Sequence, residues 1–352
     1  MTIQELLEFT LNKGASDLHL LPGIPPTIRI NGLLMPVAQE PPLSEEEAAQ
    51  LIFALVSDEQ REIILVNKEL DFSFSYQYQA RFRVNAYYQK GVLSAALRLL
   101  PVKIPTIDEL NLPKICREFA GLRQGFILVT GPTGHGKSTT LAAIIDEINQ
   151  NRAVHIVTIE DPIEYVFTPQ KAIISQREIR NDTHSWNIAL RSCLREDPDV
   201  VMVGEMRDYE TISSALTIAE TGHLVFATLH TNSAAQTLDR IVDVFPEDQQ
   251  GQVRMQLSST LGAILSQRLM PSLDGGRIPG VEILVSTPAI KTAIREGKTH
   301  TINSIIETSM ELGMLPLEND LARLIRQGKI SLDTAREFAT QPEQLMRLVR
   351  RK

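Results

Sequence analysis

FILVTGPTGHGKSTT, residues 126–140, decides how the rest of the chain is read. Residues 126–130 predict a short buried strand, and 131–138 fit G-x-x-x-x-G-K-[ST], with a helix starting near Lys137. Glycines 131, 134 and 136 let successive backbone N–H groups converge on one point at the positive end of that helix, an arrangement suited to phosphate oxygens. The candidate nucleotide-binding residues are therefore Gly131, Pro132, Thr133, Gly134, His135, Gly136, Lys137, Ser138 and Thr139. Lys137 would reach the β- and γ-phosphates, and Ser138 is a candidate Mg²⁺ ligand. The plain alternative, a glycine-rich structural turn, gives no reason for a lysine and a serine at a helix start.

Working toward the C-terminus, three more apolar runs alternate with helical stretches: VHIVTIE at 154–160, VVMVG at 200–204 and HLVFATLH at 223–230. This alternation predicts βα units around a mostly parallel sheet buried on both faces, an α/β fold. Beyond Thr287 the chain reads as mainly helical. Hydrolysis needs a carboxylate near the γ-phosphate. Two strands run into acids at their C-terminal ends, one into Glu160, Asp161 and Glu164, the other into Glu205, where ligands of such sheets bind. Asp161 could equally cap a helix. His230, at the C-terminal end of its strand beside Thr228 and Thr231, is placed to sense a γ-phosphate through hydrogen bonds. His223 lies a whole strand away, which disfavours metal ligation by the pair. Arg191 and Arg195 are four apart and so share a helical face, just before Asp197-Pro198-Asp199.

Working toward the N-terminus, Thr2 with Glu5, Ser44 with Glu47 and Ser57 with Gln60 form capping boxes that predict three helices. Strands are expected over 16–21, 27–30 and 33–37, with Asn31-Gly32 as a hairpin turn, and over 69–76, 79–88 and 92–100. A small α+β domain with an antiparallel sheet should therefore occupy 1–100. Pro101, Pro105 and Pro113 punctuate 101–124, which reads as a linker to a second domain over 125–352. Arg81, Arg83 and Arg98 fall on the strands of the first domain. They read either as a solvated sheet edge or as arginine fingers supplied across an interface.

Composition agrees with two globular domains. The 352 residues are 43% hydrophobic and 22% charged, and no stretch approaches the ~18 apolar residues of a membrane span. The first residues lack a basic leader and a cleavage site, so a cytoplasmic location is expected. Cys116 and Cys193 are too few and too isolated for a disulfide framework or thiolate metal site, and read as small buried hydrophobes. A net charge of −8 argues against nucleic acid as a partner. The basic C-terminus, Arg347, Arg350, Arg351 and Lys352, reads as a solvated helix end or as a contact with anionic lipid.

GPTGHGKSTT, TIEDPIEY, LREDPDVVMVGEMRD and AETGHLVFATLHT stand in the order and at the intervals of the Walker A, Asp box, Walker B and His box of a known family. With ASDLHL, RFRVNAY and AIKTAIREGK, the chain resembles the secretion-type ATPases almost throughout, and most closely those that retract type IV pili. The resemblance implies a PAS-like first domain, a RecA-like second domain, and a homohexamer with ATP at its interfaces. It implies Glu164 as catalytic glutamate, Glu205 as the Walker B acid and second candidate Mg²⁺ ligand, His223 and His230 as the paired histidines, and Arg83, Arg98, Arg191 and Arg195 as arginines reaching nucleotide. The implied work is pilus retraction through an inner-membrane platform protein, at the inner face of the cytoplasmic membrane with peripheral association only. The rivals are a pilus extension, type II secretion or conjugation ATPase, and a nucleotide-binding regulator without turnover. Three departures matter: His135 stands where the family usually has serine, 289–296 reads AIKTAIRE where the retraction signature is AIRNLIRE, and no CxxC pair occurs, which favours retraction.

Overall fold

A computed structural model describes residues 1–30, 32–77, 80–100 and 103–350. Asn31 of the expected hairpin turn, Gln79 at the start of an expected strand, Pro101, and Arg351 and Lys352 lie outside the described residues. The chain divides into two compact units, one of 1–103 with 162–166, the other of 104–161 with 167–352.

The first unit is a six-stranded antiparallel sheet of β1 (Asp17–Leu20), β2 (Thr27–Ile30), β3 (Leu33–Pro36), β4 (Glu69–Tyr76), β5 (Ala80–Gln89) and β6 (Val92–Leu100), in the order β3-β2-β1-β6-β5-β4. Its three helices, Ile3–Asn12, Glu45–Phe53 and Asp58–Asn67, each begin at a reciprocal capping box. Both bonds of each box form, because Ser or Thr and the Glu or Gln three residues on satisfy two N–H groups that have no partner within the helix. Along β5 the period of two buries Ala80, Phe82, Val84 and Ala86 and turns Arg81 and Arg83 to the other face. The core closes over Leu6, Leu18, Leu20, Ile52, Ile64, Phe82 and Leu97, all fully buried.

The second unit is a seven-stranded sheet of β7 (Gly125–Thr130), β8 (His155–Glu160), β9 (Ile173–Glu178), β10 (Val200–Val203), β11 (Leu224–Leu229), β12 (Leu261–Pro271) and β13 (Arg277–Val285). The order is β13-β12-β7-β11-β10-β8-β9, parallel throughout except for the β12–β13 hairpin. Every residue of β10 and β11 is buried, as expected of central parallel strands covered on both faces. Ser266 of β12 pairs with Thr130, the last residue of β7. Residues 267–271 of β12 therefore run on beyond the end of β7, alongside the glycine loop.

Two features differ from the sequence reading. Residues 104–124 are not a free linker: the second unit starts at Ile104, and Ile107, Leu112, Cys116 and Phe119 are buried, the last two on a helix, Ile115–Gly121. The prolines break periodicity without exposing the segment. The hairpin β12–β13 was not expected, and its far end carries a second small core with helices Leu317–Arg326, Leu332–Phe338 and Pro342–Arg350, built on Met270, Ile278, Leu321 and Leu345. Among the described residues no helix is long and apolar enough to cross a membrane.

Candidate functional site

The loop after β7 is shaped by its glycines. Gly131, Gly134 and Gly136 have φ of +145°, +78° and +80°, a region that residues with a Cβ rarely enter. Gly136 is the N-cap of the fifteen-residue helix Lys137–Asn151 and contributes no side-chain cap, so the helix start is left to serve an anion. Lys137 is buried at its base, and its Nζ donates to the carbonyls of Gly131 at 2.9 Å and Pro132 at 3.0 Å.

Strands β10 and β11 end beside this loop and bring two of the expected residues to it. His230 Nδ1 lies 3.3 Å from both Lys137 Nζ and Thr133 Oγ1, and His230 Nε2 lies 2.8 Å from Glu205 Oε1. These partners assign the tautomer: Nε2–H donates to the carboxylate and Nδ1 accepts. Arg207 Nη2 donates to the other oxygen of Glu205 at 2.8 Å. Burial works against the Glu205 carboxylate, but the hydrogen bonds from Arg207 and His230 and the charge of Arg207 outweigh it and hold its pKa below the usual glutamate value. A continuous polar chain thus links the loop lysine to the ends of two strands, through the histidine and the acid.

On the opposite side the loop is fastened to β12. Gln267, buried, accepts from Thr140 Oγ1 at 2.7 Å and donates to the His135 carbonyl at 2.7 Å, while Leu269 N–H donates to His135 Nδ1 at 3.0 Å. Gln267 and Arg207 escaped the sequence reading. Gln267 sits on a strand that follows a helix without an intervening loop, and only the GEMRD stretch hinted at Arg207.

The other expected residues are placed elsewhere. Glu160 is buried at the end of β8, accepting from Thr158 Oγ1 at 2.7 Å and from Gln176 Nε2 at 3.3 Å. Glu164 belongs to the 162–166 segment of the first unit, where Arg81 Nε donates to the neighbouring Ile163 carbonyl at 3.2 Å. His223 is not part of the loop cluster. Its Nδ1 lies 3.1 Å from the Ile218 carbonyl, closing the end of helix Tyr209–Glu220, about 20 Å from His230 by strand rise. Arg191, in helix Trp186–Cys193, and Arg195 just beyond it are both exposed. Arg83 pairs across the sheet with Arg98, and Arg98 Nε donates to Asp17 at 3.0 Å. Both cysteines are buried, and burial pushes the thiols up, Cys116 to about 12 and Cys193 to about 11. Among the described residues no group of three His, Cys, Asp or Glu could hold a metal by themselves.

Comparison with known proteins gives the family. The chain is 48% identical over 343 residues, 97% of its length and 99% of the relative's, to the Type IV pilus retractation ATPase PilT of Pseudomonas aeruginosa. It is 41% identical over 351 residues, 99% of its length and 92% of the relative's, to the Type IV pilus ATPase PilU of the same organism. A crystal structure of the pilus retraction motor PilT with bound ADP matches with a TM-score of 0.92 at 47% identity, covering 99% of each chain. The profile of the family described as Type II/IV secretion system protein matches residues 1–347. Matched almost end to end, the chain belongs to the type II/IV secretion system protein family.

Proposed function

We propose that the chain is an ATP-hydrolysing motor that powers retraction of type IV pili, working as a homohexamer with an inner-membrane platform protein at the cytoplasmic face of that membrane. The observation that carries the reading is the polar chain Lys137–His230–Glu205–Arg207 at the uncapped start of helix Lys137–Asn151. It joins a phosphate-holding lysine to the ends of β10 and β11. The name of the PilT relative and the ADP in the matching crystal structure support the retraction role and the nucleotide.

In this reading the loop N–H groups and Lys137 hold the β- and γ-phosphates. The loop fits a nucleotide's phosphates, since at Gly134 nothing lies within 4 Å of the place a Cβ would take. Ser138 and Glu205 would hold Mg²⁺, for which a hydroxyl and a carboxylate are suitable hard oxygen donors. When bound, the ion neutralises charge on the phosphates. Glu164 orients the attacking water, and His230 reports the γ-phosphate to β10 and β11. Arg83, Arg98, Arg191 and Arg195 serve nucleotide across subunit boundaries, and His223 acts at the far end of β11.

Replacing Glu164 with Gln should leave nucleotide binding intact and abolish turnover by the purified protein; unchanged turnover would remove Glu164 from its role. A strain carrying Lys137→Ala should retain abundant surface pili and lose twitching. Loss of pili would instead assign the chain to assembly, alongside extension, secretion and conjugation ATPases. Absence of turnover in an assembled wild-type hexamer would make the chain a nucleotide-binding regulator.

A further inference from the structure

We propose that His135 is a positioning residue whose imidazole fastens the phosphate loop to β12, so that the loop's hold on nucleotide depends on a hydrogen-bond acceptor at this position. The inference rests on the reading of the loop as a phosphate site and concerns a position that the motif itself leaves open.

Three observations carry it. The Leu269 N–H donates to His135 Nδ1 at 3.0 Å, a bond between the middle of the loop and the part of β12 that extends past β7. The His135 carbonyl accepts from Gln267 Nε2 at 2.7 Å, so main chain and side chain of one residue are held by two residues of one strand. The ring also lies against Phe338, centroids 6.5 Å apart and tilted by 52°. A smaller residue would keep the Gln267 bond, which needs only the carbonyl, and would lose the other two contacts.

The Leu269 bond requires an unprotonated Nδ1, because an imidazolium has no lone pair to offer. The surroundings favour that state. Burial lowers the imidazole pKa, and the positive charges of Lys137 on the following helix, Arg268 on β12 and Arg277 on β13 lower it further, while helix Leu332–Phe338 presents the uncharged Phe338 ring. The anchor is therefore intact at neutral pH and is lost only as pH falls below the ordinary imidazole range. An asparagine side chain can place its Oδ1 near the position of Nδ1 and accept the same N–H without titrating.

The test is direct binding of a fluorescent ADP analogue to the full chain from pH 5 to 8, for wild type, His135→Ala and His135→Asn. Melting curves would show that each variant is folded. His135→Ala should bind about five- to tenfold more weakly at neutral pH, the worth of one hydrogen bond. His135→Asn should regain most of this. Because the nucleotide's own titration is common to all three proteins, the ratios isolate position 135: wild type should approach the Ala variant as pH falls, and the Asn variant should keep its advantage. Ala binding equal to wild type at every pH, or Asn binding no better than Ala, overturns the inference and leaves the phosphate site standing. Wild type failing to bind the analogue overturns both.

Discussion

A methyl group on Gly131 would stand 2.3 Å from the carbonyl oxygen of Gln267, and the residue's φ of +145° lies where a side chain is strained in any case. The obstacle is the backbone of a central strand, which cannot swing aside as a side-chain tip can. Gly131→Ala should therefore cost about 3 kcal/mol or more, through backbone strain and overpacking together. The expected outcome is a lower denaturant midpoint with an unchanged slope, together with loss of nucleotide binding. Gly134 provides the control: its φ is also positive but nothing lies within 4 Å of a Cβ there, so Gly134→Ala should cost about 1 kcal/mol, from conformation alone. Equal costs for the two substitutions would contradict the close approach of β12 to the loop. In the sequence Gly131 is one glycine of the loop among three; that it alone meets the backbone of β12, where Gly136 meets only side-chain atoms of that strand, follows from a pairing the motif does not encode.

At the scale of strands, Asp17 joins three of them. From β1 its carboxylate receives Arg98 of β6 at 3.0 Å and lies 3.6 Å from Arg29 of β2. Burial raises its pKa, but hydrogen bonds from Ser16 and Arg98 outweigh that and leave it below the ordinary aspartate value of 3.8. A carboxyl with a depressed folded pKa contributes stability that is fully present above its unfolded pKa and fades as pH falls through the folded one. Asp17→Asn should thus cost about 1 kcal/mol at pH 7, with the gap to wild type closing below roughly pH 4. Parallel curves down to pH 3 would show that the ion pairs add nothing. Strand β5 was legible because its burial alternates residue by residue, and β2 and β3 because a turn signal separates them, although β3 itself is exposed throughout. Strand β12 was not, since helix Glu247–Thr260 ends on Thr260 and the strand begins at Leu261 with no residue between them, and Gly262 falls inside the strand instead of in a turn. Tertiary pairing with β7 decides that boundary. The same silence hid Gln267 and the anchoring of His135, whereas Lys137 could be picked out from its glycine motif, and Glu205 and His230 because each stands at or just beyond the end of an apolar run.

At the scale of the whole molecule, the proposed ring makes a prediction that a single chain cannot. Arg191 and Arg195 are exposed to solvent, while Lys137 is buried at the base of its loop. If the arginines serve the nucleotide of a neighbouring subunit, a Lys137→Ala chain still has working arginines to lend, and an Arg191→Ala, Arg195→Ala chain still has a working phosphate loop. Each variant alone should be inactive. In a head-to-tail ring assembled from equal amounts of both, a functional loop faces functional arginines at some boundaries, so ATP turnover should return to roughly a quarter of the wild-type rate. Arginines acting only within their own chain give no recovery, because neither variant then carries a complete site. Assembly of the mixed rings must be verified by size, and exchange of subunits by a label on one variant, before absence of turnover is scored against the shared site. Arg98 is a poorer choice for this experiment than Arg191 and Arg195, since its bond to Asp17 ties its removal to the stability of the first unit. A recovery that disappears when His230→Ala is added to the chain carrying the intact loop would further require that the lent arginines and the Lys137–His230–Glu205 chain act on the same phosphate.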